Sequence, residues 1–180
     1  MALRSTVYKA DLHIADNDRG YYASHAVTVA RHPSETDERM MVRILAYALF
    51  TTAEEDLAFG RGLSDTEEPD LWRRDLTGHI LQWFETGLPD ERRILKACGR
   101  ADEVVVLAYG RNTGIWWQNV RGKLARAHKL RACALSVDGT AALATLAARN
   151  MDLHFNIQDA TVFVSSDTDT ASVTLEPLEA

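Results

Sequence analysis

The start of the chain is constrained by a regular alternation of apolar and polar residues. The alternation runs from Thr6 to Asp16 and resumes from Tyr21 to Ala30, after a turn that ends at Gly20. A period of two residues is that of a β-strand, whose side chains point alternately to opposite faces. The sequence therefore predicts an N-terminal β-hairpin.

The hydrophobic period then changes to that of a helix. An apolar stripe passes through Met41, Ile44, Leu45 and Ala48, and Ser34 stands before it. A Ser side chain at this position can accept a hydrogen bond from the free N–H groups of a first helical turn. We therefore expect a first helix with Ser34 as its N-cap.

The rest of the chain alternates between strand and helix patterns. Strands are predicted at residues 57–61, 71–76, 80–85, 104–109, 132–137, 153–157, 161–165 and 172–175, and helices between Pro89 and Gly99 and at 113–130 and 140–149. Such alternation favours a sheet with helices on its faces. The 180 residues, 46% of them hydrophobic, suit one domain over residues 1–180, an α/β fold with a mixed central sheet flanked by helices.

Charge is distributed unevenly along the chain. The net charge of −6 argues against an extensive grip on nucleic acid, which needs many phosphate contacts. However, residues 111–131 contain six basic residues and no acid, whereas residues 54–70 are dominated by Asp and Glu. One face of the protein is therefore expected to be locally positive.

The N-terminal residues and the two cysteines indicate the cellular compartment of the protein. Residues 1–9 contain neither an apolar signal core nor a small-residue cleavage site, and the longest apolar runs are far shorter than a membrane span. Cys98 and Cys133 stand apart, without CxxC spacing or a nearby His, which is typical of reduced thiols. We expect a cytoplasmic protein that does not cross a membrane.

The residues with the clearest chemical potential are three dispersed acids. The chain has no GxGxxG, GKS/T, GxSxG or HExxH motif. Glu38 lies on the predicted first helix, while Asp70 and Glu85 bracket a predicted hairpin whose pairing brings its ends together. Carboxylates held close together at a core edge repel each other unless a cation or a proton neutralises them, and oxygen ligands suit Mg²⁺, with Mn²⁺ as a substitute. One hypothesis is therefore a metal site held by Asp70 and Glu85.

Cations follow Glu85 on the next predicted helix. Arg93 and Lys96 are the available positive charges there, although helical periodicity turns Lys96 away from the apolar face. The alternative hypothesis is that the acids form structural contacts. In that case Glu38 pairs with Arg39 or Arg43, Asp70 caps a turn after Pro69, and Glu85 pairs with Arg92 or Arg93.

Several unusual segments resemble a known bacterial family. Residues 30–36 read Ala-Arg-His-Pro-Ser-Glu-Thr, residues 68–72 read Glu-Pro-Asp-Leu-Trp, and residues 87–94 begin Gly-Leu-Pro-Asp-Glu. Together with Trp116-Trp117, these segments resemble the signature of the YaeQ proteins over essentially the whole chain. The resemblance implies a variant of the PD-(D/E)XK (restriction endonuclease-like) fold, with an α-β-β-β-α-β core and added hairpins at both chain ends.

The resemblance also assigns roles to individual residues. It implies that Pro69-Asp70 corresponds to the PD of the nuclease motif and Glu85 to its second acid. Gly87 stands where an active nuclease normally carries Lys. In this superfamily the lysine can move to the following helix, so Lys96 or Arg93 is the expected substitute.

Two functions follow from these observations. The first is a Mg²⁺-dependent phosphodiesterase acting on DNA or RNA, and the second is a catalytically silent, nuclease-derived protein that binds nucleic acid or the transcription apparatus. For the first, the catalytic residues are expected to be Glu38, Asp70, Glu85 and Lys96, with Asp70 and Glu85 as metal ligands and Arg43 and Arg93 as substrate-binding cations. For the second, residues 111–131 would bind the partner, and the acids would remain without turning over a substrate.

Overall fold

The computed structural model describes residues 4–54 and 56–179. The strands are β1 (Thr6–Asp16), β2 (Tyr21–Arg31), β3 (Leu57–Phe59), β4 (Leu71–Arg74), β5 (Ile80–Thr86), β6 (Ala101–Ala108), β7 (Leu130–Leu135), β8 (Asn150–Gln158), β9 (Thr161–Ser165) and β10 (Thr170–Leu178). The helices are α1 (Asp37–Phe50), α2 (Glu91–Arg100), α3 (Thr113–Leu124) and α4 (Val137–Ala144). The predicted mixed sheet flanked by helices is confirmed.

The described strands form one ten-stranded sheet in the order β2-β1-β8-β9-β10-β7-β6-β5-β4-β3. β1 pairs in parallel with β8, and β6 pairs in parallel with both β5 and β7, while the other neighbours are antiparallel. His25 on β2 and Phe59 on β3, at opposite ends of this order, both contact Tyr47 of α1. The sheet therefore curves around α1 until it is nearly barrel-shaped.

Helix α1 is enclosed rather than laid on one face of the sheet. Every residue from Met40 to Ala48 is buried, whereas the sequence pattern predicted a single apolar stripe. Its N-cap is Thr36, whose Oγ1 accepts from the Arg39 N–H at 3.1 Å. The prediction of Ser34 as the cap was wrong, because the Ser34 hydroxyl lies 2.6 Å from Nδ1 of His32.

A second apolar cluster lies on the other face of β5 and β6. Here Ile94 of α2 and Trp117 of α3 pack against the strands, and Val104 and Val106 point toward them. The intervening Val105 belongs to the cluster around α1. Both faces of these strands are therefore buried, which is typical of strands with nearly continuous apolar sequences.

Some predicted boundaries were wrong because tertiary pairing overrides local pattern. The predicted helix 113–130 ends at Leu124, since Leu130 pairs with Val104 and begins β7. Gly99 was expected to stop the preceding helix, but α2 continues to Arg100. In the described ranges, no helix is long and apolar enough to span a bilayer.

Candidate functional site

The candidate site lies where the C-terminal ends of β5 and β6 meet the start of α1. Glu85 and Thr86 end β5, Tyr109 follows β6, and Asp70 immediately precedes β4. Since β5 and β6 are parallel, their carboxyl ends open at the same edge of the sheet, where α/β proteins commonly bind ligands. Asp70 is held beside β5 by its N–H, which donates to the Phe84 carbonyl at 3.1 Å.

Asp70 is completely buried, and protein groups occupy both of its carboxylate oxygens. Oδ1 accepts a short hydrogen bond from Nη2 of Arg39. Oδ2 accepts from the Thr86 N–H at 2.7 Å and from the Thr86 hydroxyl at 2.9 Å. A buried carboxylate with an ion pair and two further donors is well satisfied without a metal ion.

Glu85 is also buried, with 3% of its surface exposed, but within residues 4–54 and 56–179 its hydrogen bonds all go to one oxygen. Oε1 accepts from Nε1 of Trp83 at 2.7 Å and from Nε of Arg93 at 2.8 Å. Burial raises the pKa of Glu85, the hydrogen bond from Arg93 opposes this, and the charge of Asp70 adds to the rise. The net pKa is raised, so the site favours a protonated Glu85 more than water does.

Arg93 fixes the loop that covers this edge of the sheet. Besides its ion pair with Glu85, its Nη1 donates to the Thr66 carbonyl at 2.8 Å and its Nη2 to the Glu68 carbonyl at 3.0 Å. Its planar guanidinium can donate hydrogen bonds to several acceptors at once in fixed directions. The ammonium group of a Lys has no such planar set of donors. Arg93 therefore joins the loop before β4 to the end of β5.

A further acid, Glu35, completes the cluster and was missed by the sequence analysis. Its carboxylate binds Arg43 through two contacts of 2.7 Å and accepts from Nη1 of Arg39 at 3.0 Å. Burial lowers the pKa of Arg39, but the charges of Asp70 and Glu35 outweigh this and the net pKa is raised. The sequence offered the spacing of four residues between Glu35, Arg39 and Arg43 as a signal, but Glu35 lies outside α1, before the Thr36 N-cap.

The remaining predicted site residues lie at the margin of this cluster or outside it. Glu38 is half-buried and accepts from the Thr140 hydroxyl of α4 at 2.7 Å. Lys96 is exposed and donates to Glu67 at 2.6 Å. Arg43 is buried and bound to Glu35, so it is not placed to contact a substrate directly. It can affect substrate binding only by positioning Arg39.

Tyr109 is a second residue that the sequence analysis did not single out. Burial raises the pKa of its hydroxyl to about 12, Arg39 opposes the rise, and Glu38 adds to it. The phenol therefore remains protonated at neutral pH and can act as a hydrogen-bond donor. Next to it, Gly87 has φ +93°, a left-handed conformation that side chains rarely adopt.

A cavity of about 290 Å³ opens beside this cluster. Its lining includes Arg39, Glu85, Thr86 and Arg93. The cavity therefore presents two guanidinium groups, a carboxyl with a raised pKa and a hydroxyl. This combination can bind an anionic group through the arginines, and Glu85 can donate a proton when it is neutral.

The arrangement does not fit Mg²⁺ as the side chains stand. Mg²⁺ needs near-octahedral oxygen ligands at about 2.0–2.1 Å, but both oxygens of Asp70 already accept hydrogen bonds. The described residues contain one group of three His, Cys, Asp or Glu side chains close enough together to share a metal, and that group lies elsewhere. A Mg²⁺ ion at Asp70 requires Arg39 to leave it.

Comparison with known proteins identifies the family. A family model described as YaeQ protein matches residues 1–175. The chain belongs to the YaeQ family. A YaeQ protein from Salmonella typhi is 46% identical over 166 residues, which are 92% of this chain and 91% of that protein. The predicted family is thereby confirmed.

Solved structures of the family share the whole fold. The crystal structure of the YaeQ protein from Xanthomonas axonopodis pv. citri has a TM-score of 0.92 and 47% sequence identity, and it covers 98% of this chain and 99% of its own. The crystal structure of the YaeQ protein from Pseudomonas syringae also has a TM-score of 0.92, with 40% sequence identity. It covers 98% of this chain and 97% of its own. These matches extend to the N-terminal and C-terminal strands.

Proposed function

We propose that this protein is a nuclease-derived accessory protein that binds nucleic acid without cleaving it. The order α1, β3, β4, β5, α2, β6 agrees with the α-β-β-β-α-β core of the PD-(D/E)XK fold. In that correspondence Asp70 and Glu85 occupy the positions of the two motif acids. The proposal is that these acids form structural contacts with Arg39, Thr86 and Arg93 at this edge of the sheet and do not bind Mg²⁺.

The observation that carries the proposal is the pairing of Asp70 with Arg39. A buried acid that already has a guanidinium and two Thr86 donors offers a metal ion neither an unengaged oxygen nor an uncompensated negative charge. Replacement of Arg39 by a metal ion at Asp70 would also leave the largely buried Arg39 with Glu35 as its one remaining carboxylate partner among the described residues, and breaking a buried ion pair is unfavourable. In addition, Gly87 supplies no lysine next to the acids.

The proposed nucleic-acid surface is the basic face of α3 together with the turns that precede and follow it. Arg111, Arg121 and Arg126 are exposed, and none of them has an ion pair among the residues described here. By contrast, Lys123 and Arg131 are paired with Glu91 and Glu103. Unpaired surface arginines are suited to phosphate contacts, which release counterions and make binding dependent on salt.

A Mg²⁺-dependent phosphodiesterase is the second candidate. It is favoured by Glu85, which lines the cavity and whose Oε2 accepts no hydrogen bond within the described ranges. In this candidate Asp70 and Glu85 hold the metal, Glu38 acts as outer ligand or base, and Arg93 or Lys96 stabilises the developing charge. It requires Arg39 and Asp70 to separate.

Metal binding and cleavage distinguish the two candidates. Mg²⁺ and Mn²⁺ would be titrated by calorimetry into wild type and into Asp70→Asn/Glu85→Gln protein, with cleavage of single-stranded and duplex DNA and RNA followed in parallel. The accessory role predicts no metal-dependent cleavage. Cleavage that disappears in the double variant would establish the phosphodiesterase and overturn the proposal.

Binding is tested separately by fluorescence anisotropy with the same nucleic acids at several salt concentrations. We expect Arg121→Glu/Arg126→Glu to abolish binding and wild-type affinity to fall steeply with salt. Arg4→Glu/Lys9→Glu makes the same charge change on another part of the chain and should retain most of the affinity. If wild type binds none of the nucleic acids at low salt, the proposal fails, and a protein partner such as the transcription apparatus becomes the better hypothesis.

A further inference from the structure

The outer face of the N-terminal part of the sheet carries a row of polar side chains that the function above does not use. Ser24 on β2 stands opposite His13 on β1, and His13 stands opposite His154 on β8. Ser165 on β9 continues the row opposite His154. These residues face outward because their neighbours along each strand point into the core around α1.

Asp152 lies on the same face, two residues before His154, and joins the two histidines. Its Oδ1 lies 2.9 Å from Nε2 of His13 and 3.5 Å from Nε2 of His154. The imidazole rings are stacked with centroids 4.5 Å apart. One ligand atom from each of the three residues lies within 4.8 Å of the other two, and no other such trio of His, Cys, Asp or Glu occurs within residues 4–54 and 56–179.

We propose that His13, Asp152 and His154 form a binding site for a divalent transition metal, with Zn²⁺ as the best match. Imidazole nitrogens with one carboxylate are a borderline ligand set that suits Zn²⁺ better than Mg²⁺ or Ca²⁺. Tetrahedral bonds of roughly 2.0–2.1 Å place ligand atoms about 3.4 Å apart. The distances of 2.9 and 3.5 Å from Asp152 bracket this value.

Ser24 supports the site from the side of His13. Its Oγ lies 2.9 Å from Nδ1 of His13. When Nδ1–H donates to this oxygen, Nε2 carries the lone pair and points toward Asp152, where a carboxylate would repel it unless a cation lies between them. Metal-binding histidines usually have such a hydrogen-bonded second nitrogen, which fixes the ring and its tautomer.

The site also has access and an open coordination position. All three side chains are at least one-third exposed, and three protein ligands leave a fourth tetrahedral position for water or a ligand group. A broad concavity of about 990 Å³ adjoins the cluster, and its lining includes both histidines, Tyr22 and Phe163. A metal-bound ligand with an apolar portion could occupy it.

The competing explanation is a surface hydrogen-bond cluster, in which Nε2–H of His13 donates to Asp152. The chain contains a natural control for this explanation. His79 pairs with Asp102 at 2.8 Å, and this pair also joins two exposed residues, His79 just before β5 and Asp102 on β6. It belongs to no metal-sized group in the described residues. Substitution of His79 should therefore leave metal affinity unchanged.

The test is calorimetric titration of Zn²⁺ into the full, untagged chain, with competition against a chromophoric chelator. Wild type and His79→Asn should each bind one Zn²⁺ with the same affinity. His13→Asn, Asp152→Asn and His154→Asn should each lower the affinity at least tenfold, and Ser24→Ala should lower it roughly 10–100-fold if it acts as the outer partner. Circular dichroism of each variant would check that the fold is retained.

Two outcomes would overturn the proposal. One is the absence of Zn²⁺ binding by the wild type at concentrations up to the millimolar range. The other is an affinity that is equal in wild type and in all three ligand variants, because the bound metal would then lie elsewhere.

Discussion

At the scale of single residues, Glu85 shows how burial and pairing compete. Its Oε1 accepts from Trp83 and Arg93, yet burial prevails and its pKa is raised above the ordinary 4.5. An acid with a raised pKa binds its proton more tightly in the folded state than in the unfolded state. Its contribution to stability is therefore present below the ordinary pKa and is lost as pH rises through the folded pKa.

The raised pKa of Glu85 predicts how the stability of the Glu85→Gln variant depends on pH. The amide oxygen of Gln can accept from Trp83 and Arg93, as Oε1 of Glu85 does, but it carries no charge to desolvate. We expect the melting temperature of the variant, relative to wild type, to increase as pH rises from about 4 to 7. Thermal melts across this range provide the measurement, and a relative melting temperature that falls with pH would show that the Arg93 pair outweighs burial.

At the scale of elements, the approach of α4 to β10 depends on Gly139. A Cβ at this position would lie 2.5 Å from the Ser172 carbonyl oxygen and 2.9 Å from the Val173 Cα. Backbone atoms cannot move aside as the end of a flexible side chain can. At Gly122, in α3, the corresponding position has no described atom within 4 Å apart from its chain neighbours and its own helical backbone. The two helical glycines therefore have different reasons to be present.

Alanine substitution should separate these two glycines. Gly139→Ala is expected to destabilise the protein by about 1–3 kcal/mol through overpacking. Gly122→Ala should instead stabilise it by roughly 0.4–1 kcal/mol, because alanine loses less backbone entropy in a helix. Urea denaturation measures both, and similar free energies of unfolding for the two variants would contradict the close packing of α4 on β10.

At the scale of the whole molecule, the curved sheet makes α1 the most protected element. Strands from both ends of the sheet contact Tyr47, and residues Met40 to Ala48 are all buried. Opening this helix to water requires the surrounding sheet to separate. Local fluctuations cannot do this, so its amide protons should exchange mainly through global unfolding.

Native-state hydrogen exchange tests this expectation. The free energies of exchange in the second half of α1 should equal the global free energy of unfolding and fall in parallel with it as denaturant is added. The short helical turn at Gly62–Ser64, where Leu63 and Ser64 are exposed, should exchange with a much smaller free energy. Sub-global exchange of α1 would show that one edge of the sheet opens independently.

The sequence determined the elements whose signal is local. Alternation from Thr6 to Asp16 predicted β1 with its observed bounds, and the apolar run beginning at Val104 predicted a strand that is present as part of β6. The acids Asp70 and Glu85 were also found by sequence, because they stand at the ends of a hairpin. These predictions succeed because side-chain direction follows directly from strand period and turn position.

Only the tertiary structure decided which of these side chains meet. Glu35 becomes the buried partner of Arg39 and Arg43 although it lies before α1, and Arg43 also donates to the Ala30 carbonyl of the segment that leads into the helix. His13 faces His154 because β1 and β8 pair in parallel although they are far apart in sequence. No local pattern encodes that register, since it results from the way in which the sheet closes around α1 and buries both strands.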